Sequence, residues 1–349
     1  MSHSRSAAEE LALADQCDAR GDHDGAINAL ARATRLGDIE AATRLGKRLL
    51  VGLNAPFLPK EGIGFLVDAA SQGGAEAPAR LAVLAAAGIY LPQSLTEALK
   101  LLVAAAQRGW GPAQDQLRAL APDRDPAAGW RALADSIDLA FWRDAPAKQS
   151  LSRSPEICAF RGLIPEPVCD WLIERSSGRL NRALVYDAAS GKDYASEIRT
   201  NSWAQFDLMA SELIHLLVQL RMEAACGLPL HCMEATAILH YSVGEQISSH
   251  YDFVDPQLTD YELELAKNGQ RVLTFLIYLN DDYEGGETEF PRLGLTHKGT
   301  KGEGLYLVNA HENGEPDTRT LHAGRPPTRG EKWVVSQFVR NRRVVGFVA

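Results

Sequence analysis

His250 and Asp252 stand two apart in the run Ser248-Ser249-His250-Tyr251-Asp252, and His322 and Lys332 follow well downstream. Two imidazoles and one carboxylate can cover a single face of a six-coordinate ion and leave three positions open. Such a set suits an iron ion that must hold a chelating cosubstrate and dioxygen together. On an extended segment the i, i+2 spacing sends the His250 and Asp252 side chains to the same side. The third ligand must then return from a separate strand, for which His322 is the candidate and His311 a rival. His-x-Asp alone is a weak signal, and the blocks downstream of it make it specific.

The elements that would hold these residues begin after a long preamble. The chain has 349 residues, enough for two domains with their own cores. Residues 1–122 are Ala-rich and repeat with a period of 36. Leu30, Leu66 and Leu102 fall in one register, Ala33, Ala69 and Ala105 in a second, and Gly37, Gly73 and Gly109 in a third. Ala41, Ala77 and Ala113, then Leu45, Leu81 and Leu117, complete it. Small residues let helices approach, Leu fills the seam and Gly ends a helix where the chain turns. The pattern predicts helices at 6–20, 23–36, 39–52, 60–72, 75–88, 94–108 and 111–121. Ser6 with Glu9 and Ser94 with Glu97 fit capping boxes. Residues 123–154 are expected as a connector. Pro122 and Pro126 punctuate it, one amphipathic helix spans Trp130 to Trp142, and a linker runs on to Pro155.

From residue 155 to the end the texture changes to short β-like runs. Strands are expected at Ala235 to Tyr241, Arg271 to Asn280, Gly304 to Asn309 and Lys332 to Arg340, with a helix at Leu163 to Ser176. Short strands with long returns suit a double-sheet jelly roll, the double-stranded β-helix, whose mouth gathers ligands from separate strands. Phe253 to Gln270, with a short helix at Tyr261 to Lys267, is a candidate lid.

The net charge is −9, and most of it falls after residue 122. An acidic second half argues against nucleic acid as a partner. The apolar stretch at 81–91 is too short to span a bilayer, so no membrane association is expected. The start runs into acidic helix-forming sequence without a signal-peptide core, and five scattered cysteines show no metal or disulfide spacing. A cytoplasmic address is the expectation.

The helical register resembles the Sel-one-like branch of the tetratricopeptide superfamily, which implies a concave interaction surface. The second half resembles the catalytic domain of the prolyl 4-hydroxylase α-subunit family, within the iron(II)/2-oxoglutarate dioxygenases. Arg199-Thr200-Asn201-Ser202, His240-Tyr241-Ser242-Val243-Gly244-Glu245 and His250-Tyr251-Asp252 carry the likeness. It continues through Tyr278-Leu279-Asn280-Asp281, Gly285-Gly286-Glu287-Thr288-Glu289-Phe290-Pro291, Thr320-Leu321-His322-Ala323-Gly324 and Gly330-Glu331-Lys332-Trp333. The chain departs from the family at Phe338, where a tryptophan is common, and a helical array replaces the family's peptide-binding domain.

The resemblance implies iron(II) held by His250, Asp252 and His322, with 2-oxoglutarate and dioxygen as cosubstrates and ascorbate as the agent that rescues over-oxidised iron. It implies that Lys332 anchors the distal carboxylate of 2-oxoglutarate, with Thr274 near it, Tyr241 near the iron-proximal end, and Tyr278 on the same strand face as Thr274. Arg199 and Trp203 match a substrate-side strand. The expected reaction is hydroxylation of a C–H bond on a prolyl or other residue of a protein or peptide, docked by the repeats. Hydroxylation of a free amino acid or small metabolite, or a non-catalytic repeat-based binding protein, are the alternatives. The acidic residues Asp255, Asp260, Glu262, Glu264, Asp281, Asp282, Glu284, Glu287 and Glu289 are expected to form a negative rim that steers a cationic peptide.

Overall fold

The computed structural model describes residues 5–121, 128–183, 185–187, 192–194, 197–258, 260–311 and 313–344. Pro122 and Pro126 lie outside these residues. Two compact units emerge, Met1–Leu139 with Ser211–Leu216, and Ala140–Ala210 with Leu217–Val348.

The first unit is helical, with α1 (Ala7–Ala19), α2 (His23–Arg35), α3 (Ile39–Val51), α4 (Pro59–Ser71), α5 (Glu76–Ala87), α6 (Leu95–Gln107) and α7 (Gly111–Leu120). The 36-residue register is a register of burial. Leu30, Leu66 and Leu102 are fully buried, as are the Ala33 and Ala41 sets. Gly37, Gly73 and Gly109 take φ of 91°, 95° and 84°, the left-handed geometry that stops a helix most cheaply at glycine. At the α3–α4 crossing a Cβ on Gly46 would stand 2.8 Å from the Gly62 carbonyl oxygen, so only glycine lets these helices meet. Ser6 and Glu9 form the full reciprocal cap, whereas Ser94 only accepts from the Glu97 N–H.

Two connector expectations are corrected. The helix α8 (Trp130–Asp135) stops short of Trp142. Trp142 is instead buried edge-on against Phe141, over whose ring the Arg221 guanidinium lies at 3.9 Å, and this tertiary burial outweighs helix continuation. The expected linker contains a strand, Gln149–Arg153, paired antiparallel with Glu156–Phe160. It is a largely exposed edge strand, so no apolar alternation marks it.

The second unit carries α9 (Glu166–Ser177) and is built on two sheets. In the larger, the neighbours run Gln149–Arg153, Glu156–Phe160, Gly304–Val308, Arg271–Tyr278, Lys332–Arg340, Thr236–Tyr241, Ser202–Phe206 and Asn181–Arg182. The smaller runs Leu295–His297, Thr288–Phe290, His322–Gly324 and Ile247–His250. A further helix, α10 (Leu213–Cys226), precedes the strand Thr236–Tyr241, and α11 (Tyr261–Asn268) lies within the candidate lid segment. This is the double-stranded β-helix expected from the strand pattern.

The strand Arg271–Tyr278 shows why its run is apolar throughout. Phe275 and Ile277 pack outward, with Phe275 against Phe160 and Tyr306, while Thr274, Leu276 and Tyr278 face between the sheets. Ile157, Tyr278, Phe290, Leu305, Leu307 and Val334 form a core cluster of the unit. Among the described residues no helix is long and apolar enough to cross a membrane. All five cysteines are free thiols.

Candidate metal and cosubstrate site

His250 ends its strand, Asp252 stands in the loop just after it, and His322 opens the strand paired with it. The register sets His322 directly opposite His250, which brings the rings to 4.4 Å between centroids. The long return between Asp252 and His322 is thus closed by one strand pairing. One ligand atom from each of the three residues lies within 4.8 Å of the others. His311, the rival for the third position, is half exposed and sits 3.9 Å from Asp317, outside this cluster.

Each imidazole is fixed by a backbone carbonyl two residues upstream. His250 Nδ1 is 2.9 Å from the Ser248 oxygen, and His322 Nδ1 is 2.9 Å from the Thr320 oxygen. A carbonyl only accepts, so each Nδ1 carries the proton and donates, leaving the Nε2 lone pair free. The two Nε2 atoms then face Asp252, at 3.3 Å from Oδ1 and 3.2 Å from Oδ2. Lone pairs turned on a carboxylate at this range repel unless a positive charge sits among them. Burial acts to raise the Asp252 carboxyl, yet the two histidines hold it well below its usual range. Burial likewise acts to lower His322, and Asp252 reverses this, raising it. The donor set therefore fits a divalent cation.

Asp252 is itself steered. Thr274 Oγ1 donates to Asp252 Oδ2 at 2.8 Å, and Asn309 Nδ2 donates to Thr274 Oγ1 at 2.8 Å, all three residues being buried. Thr274 does not line the cavity. The expectation that it lies beside the cosubstrate's distal carboxylate gives way to this bond, because its hydroxyl is already committed to the ligand carboxylate. Asn309 was not singled out from the sequence. Its place at the end of the strand paired with Arg271–Tyr278 was the available signal.

The cluster opens on a cavity of about 410 Å³ lined by His250, Asp252 and His322 together with Arg199, Trp203, Tyr241 and Lys332. Lys332 is buried, its Nζ donates to the Gly286 carbonyl at 2.7 Å, and it lies over the Tyr241 and Tyr278 rings at 5.2 and 5.7 Å. Burial pushes its ammonium down to about 7, against the opposing charge of Glu287. A buried lysine hydrogen-bonded to a backbone carbonyl could anchor one end of a dianion whose other end reaches the metal. Burial also raises the Tyr241 hydroxyl, which keeps it a neutral donor. Tyr278 is fully buried and its hydroxyl bonds Thr288 Oγ1 at 2.9 Å, so it backs the wall instead of lining it. Arg199 bridges the strand of His250 at Ile247, bonds Asn201 through Nε at 3.3 Å and lies 5.8 Å over the Trp203 ring.

None of the nine acidic residues expected as a rim lines this cavity. Glu264, Glu284 and Glu289 are paired with Arg340, Arg329 and Arg325. Asp281 accepts from the Lys301 N–H and Asp282 from Asn280. The cavity wall thus gives the steering expectation no support. The sequence also passed over several lining residues, namely Gln205, Glu234, Ala237, Arg271, Leu276, Thr288, Ser336 and Phe338. Counting by twos from Lys332 and Tyr241 along their strands would have found Ser336, Phe338 and Ala237.

Three side chains whose donors converge and a buried lysine at one cavity fit a divalent ion and a chelating dianion. Residues 236–340 match the family model described as the 2OG-Fe(II) oxygenase superfamily. A probable prolyl 4-hydroxylase 6 of Arabidopsis thaliana is 32% identical over 222 residues, covering 58% of this chain and 75% of that protein. The chain belongs to the prolyl 4-hydroxylase family of 2OG-Fe(II) oxygenases. It is an oxidoreductase, and the family implies iron(II), 2-oxoglutarate and dioxygen. Among solved structures, viral collagen prolyl hydroxylase from Paramecium Bursaria Chlorella virus-1 aligns at 25% identity and TM-score 0.40, over 52% of this chain and 94% of that one. A Sel1 repeat protein from Oxalobacter formigenes aligns at 20% identity and TM-score 0.32, over 37% of this chain and 56% of that one.

Proposed function

We propose that the chain hydroxylates a prolyl or other residue of a protein or peptide, with His250, Asp252 and His322 as the iron ligands and Lys332 as the cosubstrate anchor. The observation that carries this reading is that one cavity joins the converging Nε2, Nε2 and carboxylate donors to a buried lysine. When bound, iron and 2-oxoglutarate supply the oxidising power that turns C–H and dioxygen into C–OH, with release of succinate and carbon dioxide.

The chain's own contribution is orientation. Ser248 and Thr320 carbonyls fix both imidazole tautomers, and the Asn309–Thr274 pair fixes the Asp252 carboxylate. Lys332 takes up a proton as the dicarboxylate's distal end arrives, since a carboxylate beside it restores the charge that burial removes. Tyr241 donates near the cosubstrate, and Tyr278 holds Thr288 at the wall. Leu239, Leu276 and Val334 keep that end poor in water. Arg199 and Trp203 meet the substrate on the Ser202–Phe206 side.

The name of the Arabidopsis relative supports a prolyl residue as the target. The repeats are read as a docking array for a protein partner, which exposed Leu53, Phe57 and Leu58 between α3 and α4 support. Ascorbate is the proposed reductant that restores the iron. A cytoplasmic address accords with five free thiols.

The test is incubation with iron(II), 2-oxoglutarate and a set of proline-containing peptides. A one-oxygen mass gain on proline, matched by equal succinate, is expected. Succinate without any peptide gain, across sequences, would argue against a peptide substrate.

A further inference from the structure

Away from the iron ligands and Lys332, the cavity wall carries Glu234, Arg271 and Phe338. Both Glu234 oxygens are engaged. Arg271 donates to Oε1 through Nε at 2.7 Å and to Oε2 through its second terminal nitrogen at 2.9 Å, a bidentate pair, while its guanidinium carbon lies over the Phe338 ring at 3.9 Å. Arg340 Nε donates to the same Oε1 at 2.5 Å. Burial acts to raise the Glu234 carboxyl, yet the two arginines keep it below its usual value.

Arg340 also faces the other way. Its Nη1 reaches Glu264 Oε1 at 2.9 Å and the Gly269 carbonyl at 2.7 Å, both at α11. Two carboxylates and two guanidiniums thus form one chain, of zero net charge, from the cavity wall to α11. Among the described residues little else holds the helix. None of its residues is buried, and Leu263 is among the most exposed large apolar side chains. One further bond comes from Arg342 to the Ala266 carbonyl at 3.1 Å. The base of the segment is closed separately, by Gln270, which accepts from the Val254 N–H at 2.6 Å and donates to the Val254 carbonyl at 3.2 Å.

We propose that Glu234 is a positioning residue that keeps this wall of the cavity electrically neutral and, through Arg340, fastens α11. An uncharged substrate group leaves the chain of charges intact. A carboxylate entering there must compete with Glu234 for Arg271, and α11 loosens as the displaced Glu234 ceases to hold Arg340 in place against Glu264. Coupling of this kind is reciprocal, so what α11 binds is also felt at the wall.

The experiment is hydrogen exchange on the full chain, read over residues 261–268, for wild type, Glu264→Gln and Glu234→Gln. Glu264→Gln removes the direct tie and Glu234→Gln the distant one. Both are expected to speed exchange of the α11 amides at least tenfold, and tryptic cleavage at exposed Lys267 in step, while amides of the strand Arg271–Tyr278 keep wild-type protection. Should Glu234→Gln unfold the protein, Arg340→Lys gives the same readout, because an ammonium keeps the charge but cannot span both carboxylates. Loosening by Glu264→Gln with wild-type protection in Glu234→Gln or Arg340→Lys would overturn the coupling. Unchanged exchange in every variant would show that charge does not hold α11. The readout needs neither substrate nor turnover, so its failure is separate from failure of the proposed activity.

Discussion

Lys332→Met should make the protein without iron or cosubstrate more stable while crippling cosubstrate binding. The Lys332 ammonium falls from an ordinary 10.5 to about 7 on burial. At about 1.36 kcal/mol for each unit, that shift corresponds to roughly 5 kcal/mol spent against folding while the unfolded lysine is charged. Below pH 7 the side chain is charged in both states and the cost is full. Between pH 7 and 10.5 the folded form sheds its proton while the unfolded form keeps it, so the cost fades, and above 10.5 it vanishes. Methionine removes this cost but leaves the Gly286 carbonyl, now bonded at 2.7 Å, without its donor. An unsatisfied buried acceptor costs about 1–3 kcal/mol. The net gain at pH 6.5 is therefore about 2–4 kcal/mol, shrinking towards pH 10. The assay is urea unfolding of the metal-free protein at both pH values, beside calorimetric titration with 2-oxoglutarate and iron(II) under nitrogen. Cosubstrate affinity should fall a hundredfold or more, since losing one partner of a buried charged pair costs about 3–5 kcal/mol. A variant less stable than wild type at pH 6.5, or one that binds 2-oxoglutarate equally well, would refute the reasoning.

The same lysine sets a pH dependence, because above pH 7 binding must return its proton. The wild-type dissociation constant for 2-oxoglutarate should rise roughly tenfold between pH 8 and 9, with proton uptake seen as a buffer-dependent binding heat, and a flat profile would count against it. Thr274→Val removes the donor that aims Asp252 and should weaken iron about 10–100-fold with the fold retained, measured by competition with a metal indicator. Gly299→Ala would place a Cβ 2.0 Å from the buried Tyr278 ring and should cost about 1–3 kcal/mol or more in urea unfolding.

Much of the site was legible because its chemistry is written in local spacing. His250 and Asp252 are near neighbours, and Lys332 opens a nine-residue strand whose two faces can be counted by twos. The 36-residue helical register was legible for a similar reason, since each repeat buries the same positions. What failed depended on partners far away in sequence. Thr274 was placed beside the cosubstrate by the resemblance, and nothing local in the sequence shows that Asp252 claims its hydroxyl. The acidic rim found no support because none of the nine residues lines the cavity, and three of them, Glu264, Glu284 and Glu289, are paired with arginines from elsewhere. The strand Gln149–Arg153 was missed because an exposed edge needs no apolar pattern, and α8 was overextended because Trp142 is buried by Phe141 and not by a helix.

The central claim is that His250, Asp252 and His322 hold the iron that drives cosubstrate turnover. Its most direct test is succinate release from 2-oxoglutarate by the wild type and by Asp252→Ala, at limiting iron(II), with thermal unfolding as the check on fold. Iron-dependent succinate from the wild type, and none above background from a folded Asp252→Ala, is the predicted result. Wild-type succinate release by that variant would contradict the ligand assignment and the account built on it.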